Sequence, residues 1–226
     1  MPVTNEVKIQ FGVVVADTFG AQAGWKMQSS TIQDKKERAN VLDEAGNEVA
    51  SKLFNEMLDY SAKFACQSNT NTVPTTIGKL VGNGILTSIS ISTNNKSAAT
   101  MNLAGHQHVG LTHADTLQQA LHAITVPKFF GAIDFMGGTG ATGAALVSGN
   151  ITIACQHQDI EDGDGAHLVG ENYNCMITAT SVWSGTVSVP AVAGWDVTVV
   201  ETPTGNTGFI QTTVTGIKKL ALAAPV

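Results

Sequence analysis

The chain has 226 residues, of which 43% are hydrophobic and only 13% charged, and its formal net charge is −6. Because an ordinary soluble domain carries about 25% charged residues, uncharged polar side chains must cover much of this surface, a composition typical of subunits that bury surface against other protein. Arg38 is the single arginine, which excludes a guanidinium cluster for direct nucleic-acid binding, and no window reaches the ~20 apolar residues of a membrane span.

The first half of the chain contains one ambiguous segment, one loop and one hairpin. Residues 47–64 fit a helix by the spacing of their apolar side chains, while the preceding turn at 43–47 fits a hairpin, so both structures remain open. Residues 67–83 are polar at first and carry a proline and two glycines, which predicts a long exposed loop. Residues 84–93 alternate between apolar and polar side chains, and 99–103 continue this pattern after a polar turn, which predicts a β-hairpin.

The second half is dominated by predicted strands, with one predicted helix. Apolar residues at 114, 117, 120, 121 and 124 recur at helical spacing, and Thr112 with Asp115 forms a capping pattern, so we predict a helix over about 112–124 that flanks a sheet. Runs rich in Thr, Val and Ile predict strands at 128–136, 144–157, 172–184, 186–200 and 207–219. The sequence therefore predicts one mainly β domain over 1–226, with a His- and Gly-rich elaboration at about 105–170.

The cysteines and the amino terminus indicate a reducing compartment. Cys66, Cys155 and Cys175 are odd in number and have no short-range pairing motif, which argues against a secreted disulfide framework. The amino terminus has no apolar run behind a positive stretch. We expect cytosolic synthesis and three reduced core thiols.

A glycine-rich run at 138–143 matches the spacing of a dinucleotide-binding fingerprint. A pyrophosphate site needs a helix amino terminus after that run, but residues 146–154 indicate a turn and a strand instead. The pattern favours a glycine-rich loop or bulge, and no cofactor is predicted.

Histidines are the strongest metal-ligand signal in the chain. His106 and His108 alternate along a strand and would point the same way, and a zinc site can be assembled from them with His113, His157, His167 and Asp159. No established zinc-ligand spacing accompanies them, so the sequence favours hydrogen-bonded loop histidines and a dispensable metal. The acidic run 159–165 lacks the later ligands of a calcium loop and favours a solvated turn.

The sequence contains no motif that indicates a catalytic residue. No nucleophile elbow is present, and Cys155 lies in an apolar strand pattern, where a thiol is usually inert. We predict no catalytic residues and expect that the chain is not an enzyme.

One stretch carries a family resemblance. Residues 34–66 (DKKERANVLDEAGNEVASKLFNEMLDYSAKFAC) combine a charged strand, a turn and a second strand, followed by a polar loop, the strand at 84–91, the run at 93–108 and a last strand at 208–220. In this outline the chain resembles the tail-tube and tail-tube-like proteins of bacteriophages. The His- and Gly-rich middle at 105–170 departs from that pattern.

The resemblance implies a β-sandwich or barrel-like fold with one flanking helix, and subunits that join into hexameric rings. The rings would stack into a tube within the virion tail, assembled in the bacterial cytoplasm with other tail proteins. DNA would pass without specific binding, and neither a membrane nor a small-molecule substrate is implied. An acidic chain poor in arginine suits such a lumen, because a polyanion must slide without sticking.

Two other functions remain open, a capsid decoration or neck protein and a metal-dependent hydrolase built on the histidines. For a ring-forming subunit, an axial contact is needed besides the lateral one, and a long loop at the end of a sheet can supply it. We expect this inter-ring contact in the loop 67–83, through Ser68, Asn69, Thr70, Asn71, Thr72, Pro74, Ile77, Leu80 and Val81.

Overall fold

The computed structural model describes residues 19, 21–78, 80–81, 84–108, 120–121, 124, 126, 130–137, 144–163, 167–185, 187, 192–202 and 210–222. Within these ranges the chain forms strands and no helix. The strands are β1 (Trp25–Leu42), β2 (Glu48–Cys66), β3 (Thr76–Ile77), β4 (Leu80–Val81), β5 (Gly84–Asn94), β6 (Thr100–His108), β7 (Ala120–Leu121), β8 (Ala145–Glu161), β9 (His167–Ser184), β10 (Asp196–Glu201) and β11 (Gln211–Lys219). In the described part, no helix has the length and apolar character of a membrane span.

One large antiparallel sheet of nine strands organises the chain. Its order is β1-β2-β6-β5-β8-β9-β11-β10, with β4 paired to β5, while β3 and β7 form a separate pair. The prediction of a mainly β chain is confirmed. β1 and β10 stand at the two ends of the strand order, so each presents an edge that pairs with no further described strand.

Segment 47–64, which the sequence left open, is strand β2 in a hairpin with β1. Oδ1 of Asp43 accepts hydrogen bonds from the backbone N–H groups of Ala45 (2.9 Å) and Asn47 (2.7 Å), and Gly46 has φ of 82°. These contacts fix a tight turn. From Tyr60 to Cys66, alternate residues of β2 are buried, which is the period of a strand and not of a helix.

The predicted strands at 84–93 and 172–184 lie within β5 and β9, and those at 99–103 and 144–157 each begin one residue before β6 and β8. The turn between β5 and β6 forms because Oδ1 of Asn94 accepts the N–H groups of Lys96 (2.8 Å) and Ser97 (2.7 Å). The strand predicted at 207–219 is described from residue 210 and begins at Gln211, and that predicted at 186–200 begins only at Asp196.

The strand predicted at 128–136 is wrong where it is described. Phe130 makes one isolated bridge with Ala98, and residues 131–136 form no strand. The N–H groups of Ala132 and Ile133 donate instead to side chains at the end of β5, Asn95 Oδ1 (2.9 Å) and Thr93 Oγ1 (3.0 Å). Backbone donors satisfied in this way are not available for a strand ladder.

The helix predicted at 112–124 lies mostly outside the described residues. Ala120 and Leu121 form β7, paired with Ile77 and Thr76, so the prediction is wrong for these two positions. Short apolar runs fit both periods, and here pairing with β3 decides between them.

The two faces of the sheet differ sharply in chemistry. One face holds the core, where Ile89, Ile91, Met101, Leu103 and Ile153 are at most 1% exposed. Each such side chain contributes about 1.5–3 kcal/mol by leaving water. The opposite face, which we call the polar face, carries small uncharged side chains at Ser88, Ser90, Ser92, Asn102, Ala104, Asn150, Thr152, Ala154, Thr178, Thr180, Thr213 and Thr215.

Cross-strand hydrogen bonds join side chains of the polar face. Ser92 donates to Asn150 (3.1 Å), Thr152 donates to Ser90 (3.1 Å), and the hydroxyls of Thr180 and Thr215 lie 3.2 Å apart. Such pairs hold the register of neighbouring strands. The face therefore offers neutral hydroxyl and amide groups at these positions, and on the neighbouring strand β2 it carries the charged side chains of Lys63 and Asp59.

Candidate functional site

The first candidate site is a hairpin arm, which we define as residues 36–56. β2 pairs with β6 only from Met57 onward, so among the described strands each strand of the arm pairs only with the other. Cross-strand ion pairs join Arg38 to Glu48 (2.5 Å) and Lys36 to Glu56 (2.8 Å). Exposed pairs of this kind contribute little to stability, and an isolated two-stranded hairpin is marginally stable in water.

Large apolar side chains on the arm are exposed. The exposed fractions are 59% for Val41, 58% for Leu42, 62% for Val49 and 61% for Leu53. Leu53 pairs with Arg38, and Val49 lies at the register shift between Val41 and Leu42. A marginal hairpin with uncovered apolar side chains has the features of a surface that becomes buried on association.

The second candidate site is a cluster of His106, His108, His157 and Asp159, which we call the histidine cluster. One potential ligand atom from each of the four residues lies within 4.8 Å of the others. His106 and His108 are buried, and His157 and Asp159 are partly buried. His106 and His108 lie in strand β6, so the expectation of loop histidines is wrong for these two.

The cluster forms at the amino-terminal end of β5, where β8 no longer pairs with it. β5 separates β6 from β8, but its last pairs at this end are Ile85 with His106 and Ser88 with Ala154. β8 continues past that point as far as Glu161. Residues 157 and 159 of β8 can therefore reach the side chains of β6 directly.

Hydrogen bonds link three members of the cluster and one neighbour. Oδ1 of Asp159 lies 3.0 Å from Nε2 of His108 and 2.8 Å from Nε2 of His157. Nδ1 of His157 lies 2.9 Å from Oδ1 of the buried Asn172. Because an amide oxygen only accepts, this contact is a hydrogen bond when Nδ1 of His157 carries a proton.

The electrostatics of the cluster favour the carboxylate form of Asp159. Burial acts to raise the pKa of Asp159, but hydrogen bonds from His108 and His157 outweigh it and hold that pKa far below its ordinary value. Burial likewise acts to lower the pKa of His157, and the hydrogen bonds to Asp159 and Asn172 reverse the effect and raise it. The arrangement thus presents an ionised oxygen donor among imidazoles.

Gly170 on β9 has no Cβ, and this leaves room for the side chains of His157 and Asp159. It pairs with Asp159 across the β8–β9 ladder. A Cβ atom at this position would lie 2.7 Å from Nε2 of His157 and 3.0 Å from Oδ1 of Asp159. Any side chain at 170 would therefore displace the donor atoms, a requirement that no motif in the sequence signals.

The other predicted site residues are only partly described. His113 and the glycine run 138–143 lie outside the described residues, as do 164–166 of the acidic run. His167 begins β9. Asp159 lies in β8, which extends to Glu161, so the expectation of a solvated turn is wrong for 159–161.

The loop predicted at 67–83 is shorter than expected. Residues 76–77 and 80–81 are strands β3 and β4, and Ile77 is 0% exposed, so Ile77 offers no apolar surface to a partner. Asn71 is tied down by Nδ2, which donates to the carbonyl groups of Val126 (2.7 Å) and Ser68 (3.1 Å). Thr70 and Thr72 remain exposed.

Cys155 and Cys175 form a disulfide, so the expectation of reduced thiols is wrong for this pair. The β8–β9 register shifts between Ala154 and Gln156, and this bulge brings the two cysteines side by side. Cys66 is free and buried, as expected.

No family model matches the chain, and no curated protein matches its sequence.

Proposed function

We propose that this chain is a tail-tube subunit of a bacteriophage virion, which assembles with copies of itself into rings, hexameric as in the family it resembles. The rings stack into a tube in the virion tail, beside other tail proteins, after synthesis in the bacterial cytoplasm. The chain acts as a structural protein and not as an enzyme.

The hairpin arm is the observation that carries this proposal. A second copy of the chain covers the arm. The sheet presents two edges, β1 and β10, and these edges suit strand-to-strand or hairpin-to-sheet contact between identical subunits. Covering Val41, Leu42, Val49 and Leu53 would remove from water the apolar surface that the single chain leaves exposed.

The chemistry of the polar face supports the proposal of a tube that passes DNA. A lumen that passes DNA needs walls that neither bind phosphates nor expose apolar side chains. The small hydroxyl and amide groups on β5, β6, β8, β9 and β11 meet both requirements, and on the neighbouring β2 the polar face carries Lys63 and Asp59. The sandwich or barrel-like shape belongs to this proposal, and its support is one core cluster that runs from Phe64 on β2 to Val214 on β11.

Imaging and sedimentation of the purified chain test the proposal. We expect closed rings or short tubes in negative-stain micrographs and a concentration-dependent rise in sedimentation coefficient. A decoration or neck protein would give no rings by itself. A monomer at high protein concentration would refute the proposal.

Stacking of rings gives a separate prediction for the loop after β2. Thr70 and Thr72 lie at the end of the sheet that also holds the β5–β6 turn, since the N–H of Cys66 donates to the carbonyl of Ala99 (2.8 Å). In Thr70→Glu/Thr72→Glu, added charges would face the next ring, so we expect rings without tubes.

The matched control is Ala154→Glu, an exposed position in the middle of β8 and away from both ends of the sheet. We expect tubes of normal length from it. Normal tubes from the double variant would remove this loop from the axial contact.

A further inference from the structure

We infer that the histidine cluster is a binding site for one divalent transition-metal ion, with zinc the ion expected, held by His106, His108, His157 and Asp159. This inference is independent of the assembly function. The sequence favours histidines without metal, and the geometry reverses that preference.

The donor set matches the ion. Zinc in proteins takes imidazole nitrogen and carboxylate oxygen at about 2.0–2.1 Å with four ligands, which places neighbouring ligand atoms roughly 3.3 Å apart. In the cluster, Oδ1 of Asp159 lies 2.8 and 3.0 Å from the Nε2 atoms of His157 and His108, and all four ligand atoms fall within 4.8 Å. To reach that spacing, the most distant ligand atoms must approach each other by about 1.5 Å.

A hydrogen-bonded network without metal accounts for less of the structure. Asp159 with His108 and His157 forms such a network through a single carboxylate oxygen. His106 nevertheless places its ring centroid 4.3 Å from that of His157 and 5.5 Å from that of His108. Burying three imidazoles and a carboxylate together costs free energy when hydrogen bonds alone must satisfy them. The same side chains are a common donor set for a transition-metal ion.

The surroundings orient the donors as metal ligands require. Nδ1–H of His157 donates to the amide oxygen of Asn172, which directs Nε2 toward the cluster. A second hydrogen bond of this type fixes the ring and tautomer of a ligating histidine. Gly170 keeps clear the space beside Nε2 of His157 and Oδ1 of Asp159, where a Cβ would intrude.

An entry route reaches the cluster from the polar face. A surface pocket is lined by Thr31, Asp59, Ser61, Thr87 and His106, among others. The ion can therefore approach His106 without unfolding of the sheet. Once bound, it would join β6 to β8 across the end of β5.

Titration of metal-free protein with zinc, followed by calorimetry, tests the site. We expect one zinc per chain, bound in the micromolar range or tighter, with a higher melting temperature that chelation reverses. Cobalt should give the visible absorption of a four-coordinate nitrogen and oxygen site, and zinc should abolish it. The cobalt spectrum needs no variant, so it tests the site even if variants unfold.

Single substitutions locate the ion. Asp159→Asn and His157→Gln each remove one ligand, and we expect affinity to fall by more than about 100-fold, since loss of an outer hydrogen-bond partner alone costs about 10–100-fold. Glu171→Gln is the matched control, because Glu171 is an exposed carboxylate on β9, on the face opposite to Gly170. It should bind zinc as the parent does.

Two outcomes would overturn the inference. One is no zinc or cobalt binding by the folded parent chain at a hundred-micromolar excess of metal. The other is binding that both ligand variants retain in full, which would place the ion elsewhere. Assembly of the metal-free chain into rings would leave the proposed function intact, so the two ideas fail separately.

Discussion

Val49→Ser/Leu53→Ser is expected to abolish ring formation while leaving the single chain folded. Both side chains are more than 60% exposed, so their loss removes little buried surface from the monomer, and substitutions at such positions usually change stability by less than about 0.5 kcal/mol. In the assembled state the same side chains would be buried, and each would then contribute about 1.5–3 kcal/mol per interface. Because a ring contains an interface between every pair of neighbouring subunits, this loss of association free energy recurs at each interface.

Sedimentation velocity and negative-stain imaging report the assembly, and thermal unfolding reports the monomer. Ser51→Ala is the matched control, because Ser51 lies between Val49 and Leu53 on β2 and is exposed as they are. We expect it to form rings at the parental concentration.

Excision of the whole arm gives the same test without point substitutions. Lys35 and Met57 lie directly opposite each other, so residues 36–56 can be replaced by Asn-Gly, the pair that suits a two-residue hairpin turn. We expect a folded monomer. Rings from the excised chain would show that the arm is not the lateral contact and would refute the central step of the proposed function.

Local pattern predicted much of the fold. The alternation at 84–93 and the polar turn at Asn94 gave the β5–β6 hairpin correctly, because one buried face imposes period two on a strand. Segment 47–64 could not be assigned, since the helical spacing of Val49, Leu53 and Met57 is real in the sequence. In the structure Val49 and Leu53 are exposed, so burial against a helical face never selected that spacing.

The histidine cluster shows a limit of a different kind. The alternation of His106 with His108 along one strand was visible in the sequence, but Asp159 was predicted in a turn, so its place beside His157 on β8 was not foreseen. What joins the two pairs is the early end of β5 and the absence of a Cβ at Gly170, both set by register between distant strands. Spacing along the chain carries no such information, so the sequence argued against a metal.

The disulfide was missed for a related reason. An odd cysteine count argues against a disulfide framework, but it says nothing about one pair placed opposite each other by a β-bulge. Cys155 and Cys175 are 20 residues apart, a separation without a motif. Only the β8–β9 register makes them neighbours.

Reduction of the Cys155–Cys175 bond is expected to lower the free energy of unfolding by about 3 kcal/mol, because the bond restricts a loop of roughly 20 residues in the unfolded chain. For a chain of this length, that loss lowers the melting temperature by about 6–12 °C. Assembly should persist, since the bond joins two strands within one subunit. Thermal unfolding with and without reductant measures the shift.

Cys155→Ala/Cys175→Ala supplies the control for the same experiment. We expect this variant to melt near the reduced parent, to form rings, and to be insensitive to reductant, because the remaining Cys66 is free. Alkylation of the unfolded parent before reduction should label Cys66 alone. Labelling of all three thiols in protein purified under oxidising conditions would show that the bond does not form, and a double variant that fails to form rings would make the bond a requirement for assembly.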